Sequence, residues 1–244
     1  MTKRFFSSGA LALFLTLQGV SLAQSASLQV APVRLEIPPG GAASKINLKN
    51  LGNTPIATQI RVFKWVQSAG KDELIETHDV VVSPPILSLL PEQNNVIRVV
   101  RVSQQPIQSE ESYRLLVDEL PAAPDAKKYA VSFVLRYSIP VFFASAQSTG
   151  AGLDWKVSSS GGATIVDVVN HGNSYQRISA FSLQAGGKTF EFGKGLMGYV
   201  LANSSNHFVL KRSLGSFKAG QTVQISAEGN DGPIQATAEL KSAQ

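Results

Sequence analysis

Short apolar runs broken by turn residues, with almost no helical spacing, constrain this chain most. Val, Ile, Phe and Thr recur in strand-like stretches, and Gly, Pro and Asn punctuate them. The pattern predicts strands at 28–37, 44–49, 56–66, 73–82, 95–102, 112–119 and 129–143. That count and spacing fit an immunoglobulin-like sandwich. Asn50–Asn53 reads as a turn, and Ser83-Pro84-Pro85 as a corner or an edge, because proline cannot sit inside a central strand. A second all-β set follows at 153–157, 163–169, 175–184, 188–192, 207–211, 222–228 and 234–240. Between the sets, Ala144 to Gly152 is small and polar, as a linker should be. The two halves show no clean repeat period. The reading is therefore all-β, with two immunoglobulin-like β-sandwich domains.

The N-terminus carries Lys3 and Arg4, then an apolar run from Ala10 to Leu17, then Ser21-Leu22-Ala23. Those are the three parts of a secretory signal peptide, and the run falls short of the roughly 20 residues that a membrane span needs. Cleavage after Ala23 is expected. The predicted division is 1–23 signal peptide, 24–146 N-terminal domain and 147–244 C-terminal domain. The chain has no cysteine, so stability must come from burial in real cores, and thiol catalysis and thiolate metal sites are excluded. The formal charge of +5 includes Lys3 and Arg4, and no Lys/Arg run exceeds two. A nucleic-acid partner is not expected from so dispersed a charge.

The most informative stretch is 129–143. Its odd positions carry Tyr129, Val131, Phe133, Leu135, Tyr137, Ile139 and Val141. In a strand these side chains share one face, which is bulky and apolar beyond the usual strand length. Such a face can serve the domain's own core. Pro140 lacks an N–H and argues for an edge instead, and 120–128 reads as a surface loop. A long apolar edge is an aggregation hazard that proteins normally avoid, unless another chain is meant to pair with it.

Several segments, in order, resemble the periplasmic chaperones of the chaperone–usher pathway, in particular the archaic, Csu-type branch. They are Leu28–Leu35, Asn50–Pro55, Gln59–Trp65, Val82–Ile86, Val96–Arg98, Ser112–Pro121, the strand 129–143 and, in the second half, Val169–Ile178. The resemblance implies two sandwiches set at an angle, in a boomerang shape. It also implies binding of pilus or fimbrial subunits by donor-strand complementation, a form of strand addition. Val131, Phe133 and Leu135 would be donated, with Tyr129, Tyr137 and Ile139 continuing the face. Delivery to an outer-membrane usher would follow, in the periplasm and without a nucleotide. An uncovered apolar strand also invites self-association of the free form.

Members of the family hold the subunit's C-terminal carboxylate with basic residues between the domains. Arg34 matches an arginine on the first strand, and Arg114 matches one on the penultimate strand of the archaic branch. Pro140 stands where many members have a lysine, and Ala144 and Ser145 where many have an arginine that ties the domains together. Glu119 and Arg136 are the candidate substitutes for that tie.

No catalytic constellation emerges, and an enzyme is not expected. Gly193-Lys-Gly-Leu-Met-Gly198 matches a dinucleotide fingerprint, but no helix is predicted after it, so a glycine-rich turn is expected and no cofactor. His78, His171 and His207 lack ligand spacing, so no metal is expected. Asp118 and Glu119 are adjacent and would face opposite ways on a strand. The rival readings are a secreted structural or adhesive sandwich protein, and a secreted hydrolase or carbohydrate-binding enzyme. A pilin would carry a free apolar extension, whereas Gln24–Leu35 reads as a first strand; an enzyme would gather carboxylates or aromatics on loops, and the only tryptophans available are Trp65 and Trp155.

Overall fold

The alternating runs become strands. The computed structural model describes residues 28–121, 134–214 and 219–242, and every regular element among them is a strand. In the N-terminal domain, β1 (Leu28–Ala31), β3 (Ala43–Asn50), β6 (Val80–Ser83) and β8 (Asn94–Arg101) form a four-stranded sheet in the order β1-β3-β8-β6. The facing sheet contains β2 (Leu35–Ile37), β4 (Ile56–Ser68), β5 (Lys71–Glu76), β7 (Ile86–Leu89), β9 (Glu111–Leu120) and β10 (Arg136–Phe143). Its order is β2-β10-β9-β4-β5, with β7 also on β4. Alternate residues of both sheets meet between them: Ile46 and Leu48, Ile97 and Val99, Leu115 and Val117, Val141 and Phe143. Each such side chain stabilises the sandwich by about 1.5–3 kcal/mol.

Two predicted strands turn out to be split. The run 28–37 breaks at Pro32-Val33-Arg34, and its halves join different sheets: β1 lies antiparallel to β3 and β2 parallel to β10. Pro32 has no N–H with which to continue a ladder. The run 73–82 breaks between β5 and β6, which also belong to opposite sheets. All residues of β5 are exposed, so no alternation marked where it ended. β7 was not predicted; it is four residues long and follows the Pro84-Pro85 corner.

The C-terminal domain comprises β11 (Leu153–Ser160), β12 (Ala163–Asn170), β13 (Gln176–Ala185), β14 (Lys188–Val200), β15 (Ser204–Leu210), β16 (Thr222–Glu228) and β17 (Pro233–Ser242). They form one path, β14-β13-β16-β17-β11-β12-β15, around a core that includes Val166, Ile178, Phe181 and Ile225. The glycine-rich segment 193–198 is not a turn. It lies inside β14, whose pairing with β13 is interrupted by register shifts. Glycines in an edge strand mark such bulges, where side chains would crowd; a Cβ on Gly193 would lie 2.5 Å from Met197 Sδ.

One asparagine performs the same task in each domain. Asn50 donates to the carbonyls of Thr54 (2.8 Å) and Leu89 (3.1 Å) and accepts from Gly52 N (2.9 Å). Asn170 donates to Ser174, Val200 and Leu201 and accepts from Gly152 and Gly172. Both end a strand and satisfy loop backbone groups that burial would otherwise orphan.

Candidate functional site

The strand singled out by its apolar alternation is β10. One side pairs with β9 along its whole length, from Arg136↔Asp118 to Phe143↔Glu111. The other side pairs with β2 only over Val141–Phe143. Among the described residues, no strand covers 136–140 on that side, so this stretch is an open edge. Of the expected donor residues, Tyr129, Val131 and Phe133 lie outside the described residues. Leu135 is half-buried, and its carbonyl accepts from Glu119 N (2.9 Å). Tyr137 packs on the N-terminal core and its hydroxyl donates to the Leu28 carbonyl. Ile139 is 2% exposed within that core.

The base of the open edge is clamped. Asp118 accepts from Arg61 Nη2 (2.7 Å) and from Arg136 Nε. Burial opposes its ionisation, but the hydrogen bonds from Arg136 and Arg61 outweigh that and hold its carboxyl below the ordinary range. Glu119 receives Leu135 N at 3.4 Å. The contacts of Glu119 and Arg136 therefore lie within the N-terminal domain, and the expectation that they tie the domains is corrected.

The tie is aromatic. Trp65 and Phe142 of the N-terminal domain pack with Tyr175, Tyr199 and Leu201 of the C-terminal domain. Phe142 stacks on Tyr175 with centroids 3.7 Å apart and planes at 10°, and Trp65 meets Tyr199 edge-on at 5.4 Å. Backbone groups join across the same seam. Gln67 donates to Tyr199 O and accepts from Leu201 N, both at 2.8 Å. Tyr175 N donates to Glu110 Oε1 (2.9 Å), and the Tyr175 hydroxyl donates to Glu36. Burial, aided by the nearby Glu36 charge, pushes the Glu110 carboxyl up to about 7, against the Tyr175 hydrogen bond. Ala144 and Ser145 leave no cation there; Ser145 instead caps the carbonyls of Ile107 and Gln108.

Beside this seam, a cavity of about 740 Å³ opens between the domains. Arg34, Arg114 and Pro140 line one wall, and Arg177, Met197 and Tyr199 the other. The structure thus brings the two expected anchor residues together. Their states differ. Arg34 Nε lies 3.2 Å from Glu36 Oε1, so it is already paired. Arg114 stands opposite Pro140 in the β9–β10 register, with its guanidinium carbon 3.6 Å above the Trp65 ring and 5.5 Å from that of Tyr199. Among the described residues it makes no ion pair. Burial draws its pKa below the ordinary arginine value. A partly desolvated guanidinium on an aromatic face, open to a cavity, is equipped to take a planar anion such as a carboxylate.

Sequence reasoning missed Tyr175, Tyr199, Phe142 and the acids Glu36 and Glu110. They are scattered through the chain; Phe142 and Tyr175 fall in segments that drew attention, but on Phe142 the notice went to the opposite face of its strand.

Residues 27–147 match the profile of the family described as pili and flagellar-assembly chaperone, PapD N-terminal domain. Among solved structures, the chain resembles the CsuC–CsuE chaperone–tip adhesion subunit pre-assembly complex from the archaic chaperone–usher Csu pili of Acinetobacter baumannii. Identity is 29%, covering 90% of this chain and 100% of that one, with a TM-score of 0.67. The fold is also that of the E. coli chaperone DraB (22% identity, 88% and 97% covered, TM-score 0.57). A third likeness is to the Salmonella enterica SafA pilin–SafB chaperone complex (18%, 86% and 95%, 0.59). No curated protein sequence matches the chain. With two immunoglobulin-like sandwiches in the same order and the family profile over its first, this chain belongs to the periplasmic pilus-assembly chaperones of the chaperone–usher pathway, in their archaic, Csu-type branch.

Proposed function

We propose that the chain is exported by cleavage of residues 1–23, holds pilus or fimbrial subunits in the periplasm and passes them to an outer-membrane usher, without catalysis. Its domains divide near Ala146, and the donated side chains are Tyr129, Val131, Phe133 and Leu135; Tyr137 and Ile139, expected to continue the donated face, instead pack on the chaperone's own core. The observation that carries this reading is the open edge of β10: among the described residues, 136–140 have a strand partner on one side alone. A subunit lacking a strand would complete its own sheet on that edge. The backbone ladder would set register, and alternate apolar side chains would fill the subunit's groove. The solved complexes of similar proteins pair such chaperones with a tip adhesion subunit and with a pilin.

Arg114 would anchor the subunit's C-terminal carboxylate in the cleft, with Arg34 beside it, held by Glu36 until a ligand competes for it. Co-expression with a small pilin from the same source tests the proposal. The pilin should be rescued from degradation and co-purify one to one with the chaperone. Phe133→Asp should abolish that complex while the purified chaperone stays folded, and Arg114→Ala should weaken it. Normal pilus assembly with Arg114→Ala would sink the anchor assignment.

A further inference from the structure

A third guanidinium in the cleft has no assigned role. Arg177 lies on β13, on the C-terminal wall, directly opposite Tyr199 in the β13–β14 register. Residues so paired on antiparallel strands share a face, with Cβ atoms about 4.5–5.5 Å apart. Tyr199 is also one of the two rings against which the Arg114 guanidinium lies. Two arginines from different domains are therefore neighbours of Tyr199, Arg114 by its guanidinium and Arg177 by strand register, and both line one cavity.

The partners of Arg177 do not use its charge. Its Nη2 donates to a neutral carbonyl, Gly229 O, at 2.8 Å. Its Nε is buried and makes no hydrogen bond. A buried donor without a partner is costly to keep, and a charged one more so. Of the other basic residues on the walls, Arg34 is neutralised by Glu36, and β10 presents Pro140. The cavity's ionised lining is Arg34, Arg114 and Arg177 against Glu36 and Asp72, so one positive charge is left over. A single carboxylate would neutralise it.

We propose that Arg177 is the second carboxylate-binding group of the cleft, so that an anion entering between the domains is held by Arg114 from the N-terminal wall and by Arg177 from the C-terminal wall. This rests on the carboxylate reading given above and extends it across the domain boundary. Recognition then depends on how the domains are docked, and a bound carboxylate in return strengthens the docking, since coupling between two equilibria is reciprocal.

The test uses the full chain and one probe in two forms: the peptide N-acetyl-Gly-Val-Ala-Val as the free acid and as the carboxamide, titrated by NMR. Wild type binds the acid at least about tenfold more tightly than the amide, the scale of a charge-assisted hydrogen bond. Arg177→Gln reduces that preference by about tenfold while the dispersed spectrum of the folded chain is retained, an outcome that mere loss of structure would not give. Arg177→Met, which keeps the aliphatic stem, serves the same purpose should the glutamine variant not fold. If Arg114→Gln abolishes the preference but both Arg177 variants keep it, this inference is overturned and the Arg114 anchor stands. If wild type does not distinguish acid from amide, both readings fall together.

Discussion

Replacing Phe142 with alanine should loosen the joint between the domains more than it weakens either sandwich. The ring is 1% exposed and touches three aromatic neighbours: Tyr175 stacked at 3.7 Å, and Trp65 and Tyr199 each at 6.0 Å. A buried phenylalanine removes about 150–250 Å² from water, which at about 25 cal/mol per Å² gives ~4–6 kcal/mol as an upper bound. Large-to-small core changes of this type cost about 3–5 kcal/mol, and the lower half of that range is expected where the two domains can shift to fill the gap. The side chain projects from the sandwich core toward the seam, so the loss should fall on docking. Two tryptophans separate the contributions. Trp65 sits in the seam and Trp155 packs against Phe181 in the C-terminal domain. Urea unfolding of Phe142→Ala, followed in a Trp155→Phe background and in a Trp65→Phe background, should show an early change in Trp65 emission and a later one in Trp155. A loss below about 1 kcal/mol, with Trp65 emission unaltered, would refute the view that this ring holds the domains together.

Further expectations concern single positions. Glu110 has its carboxyl raised from an ordinary value near 4.5 to about 7, so between those limits the unfolded chain is ionised while the folded one keeps its proton. Stability should fall as pH rises across that window, by about 1–2 kcal/mol once screening at this half-buried site is allowed for; Glu110→Gln should remove that part of the slope in pH-dependent urea titrations. Gly70 has φ of 75°, and a Cβ there would fall on the His207 imidazole across the seam. Gly70→Ala should cost about 2 kcal/mol, and adding His207→Ala should relieve the clash but leave the ~1 kcal/mol backbone penalty, measured as a double-mutant cycle. Asn170→Ala should destabilise the C-terminal domain by about 2–4 kcal/mol, because two buried carbonyls and one part-buried carbonyl lose their donor; thermal unfolding that stays within a degree of wild type would contradict that account.

Much of the sandwich was legible because its signals are local. Alternation along 44–49 and 222–228 marks strands whose two faces see different surroundings, and the small, polar stretch after Phe143 marks the passage to the second domain. Where local signals mislead, sheet membership is the reason. Residues 28–37 look like one strand, yet Pro32 lets the chain cross from one sheet to the other, which only the partners β3 and β10 reveal. The glycines at 193–198 suggest a turn, but β13 draws them into an irregular edge strand.

The residue types that make a carboxylate site, Arg34 and Arg114, could be nominated from the chain by resemblance. Their states could not. That Arg34 is already neutralised follows from a partner two residues away whose oxygen also serves a tyrosine of the other domain. That Arg114 lies on Trp65 follows from the β4–β9 register, which sets it opposite Phe63, two residues from Trp65, and among the described residues no acid pairs with it. Sequence alone determined the all-β class, the two-part organisation and an apolar strand too long for ordinary use, because side-chain alternation and turn chemistry act between neighbours. Tertiary structure alone decided which side of that strand stays open, which charges remain unneutralised and what locks the domains, because those outcomes depend on residues far apart in the chain meeting across a seam.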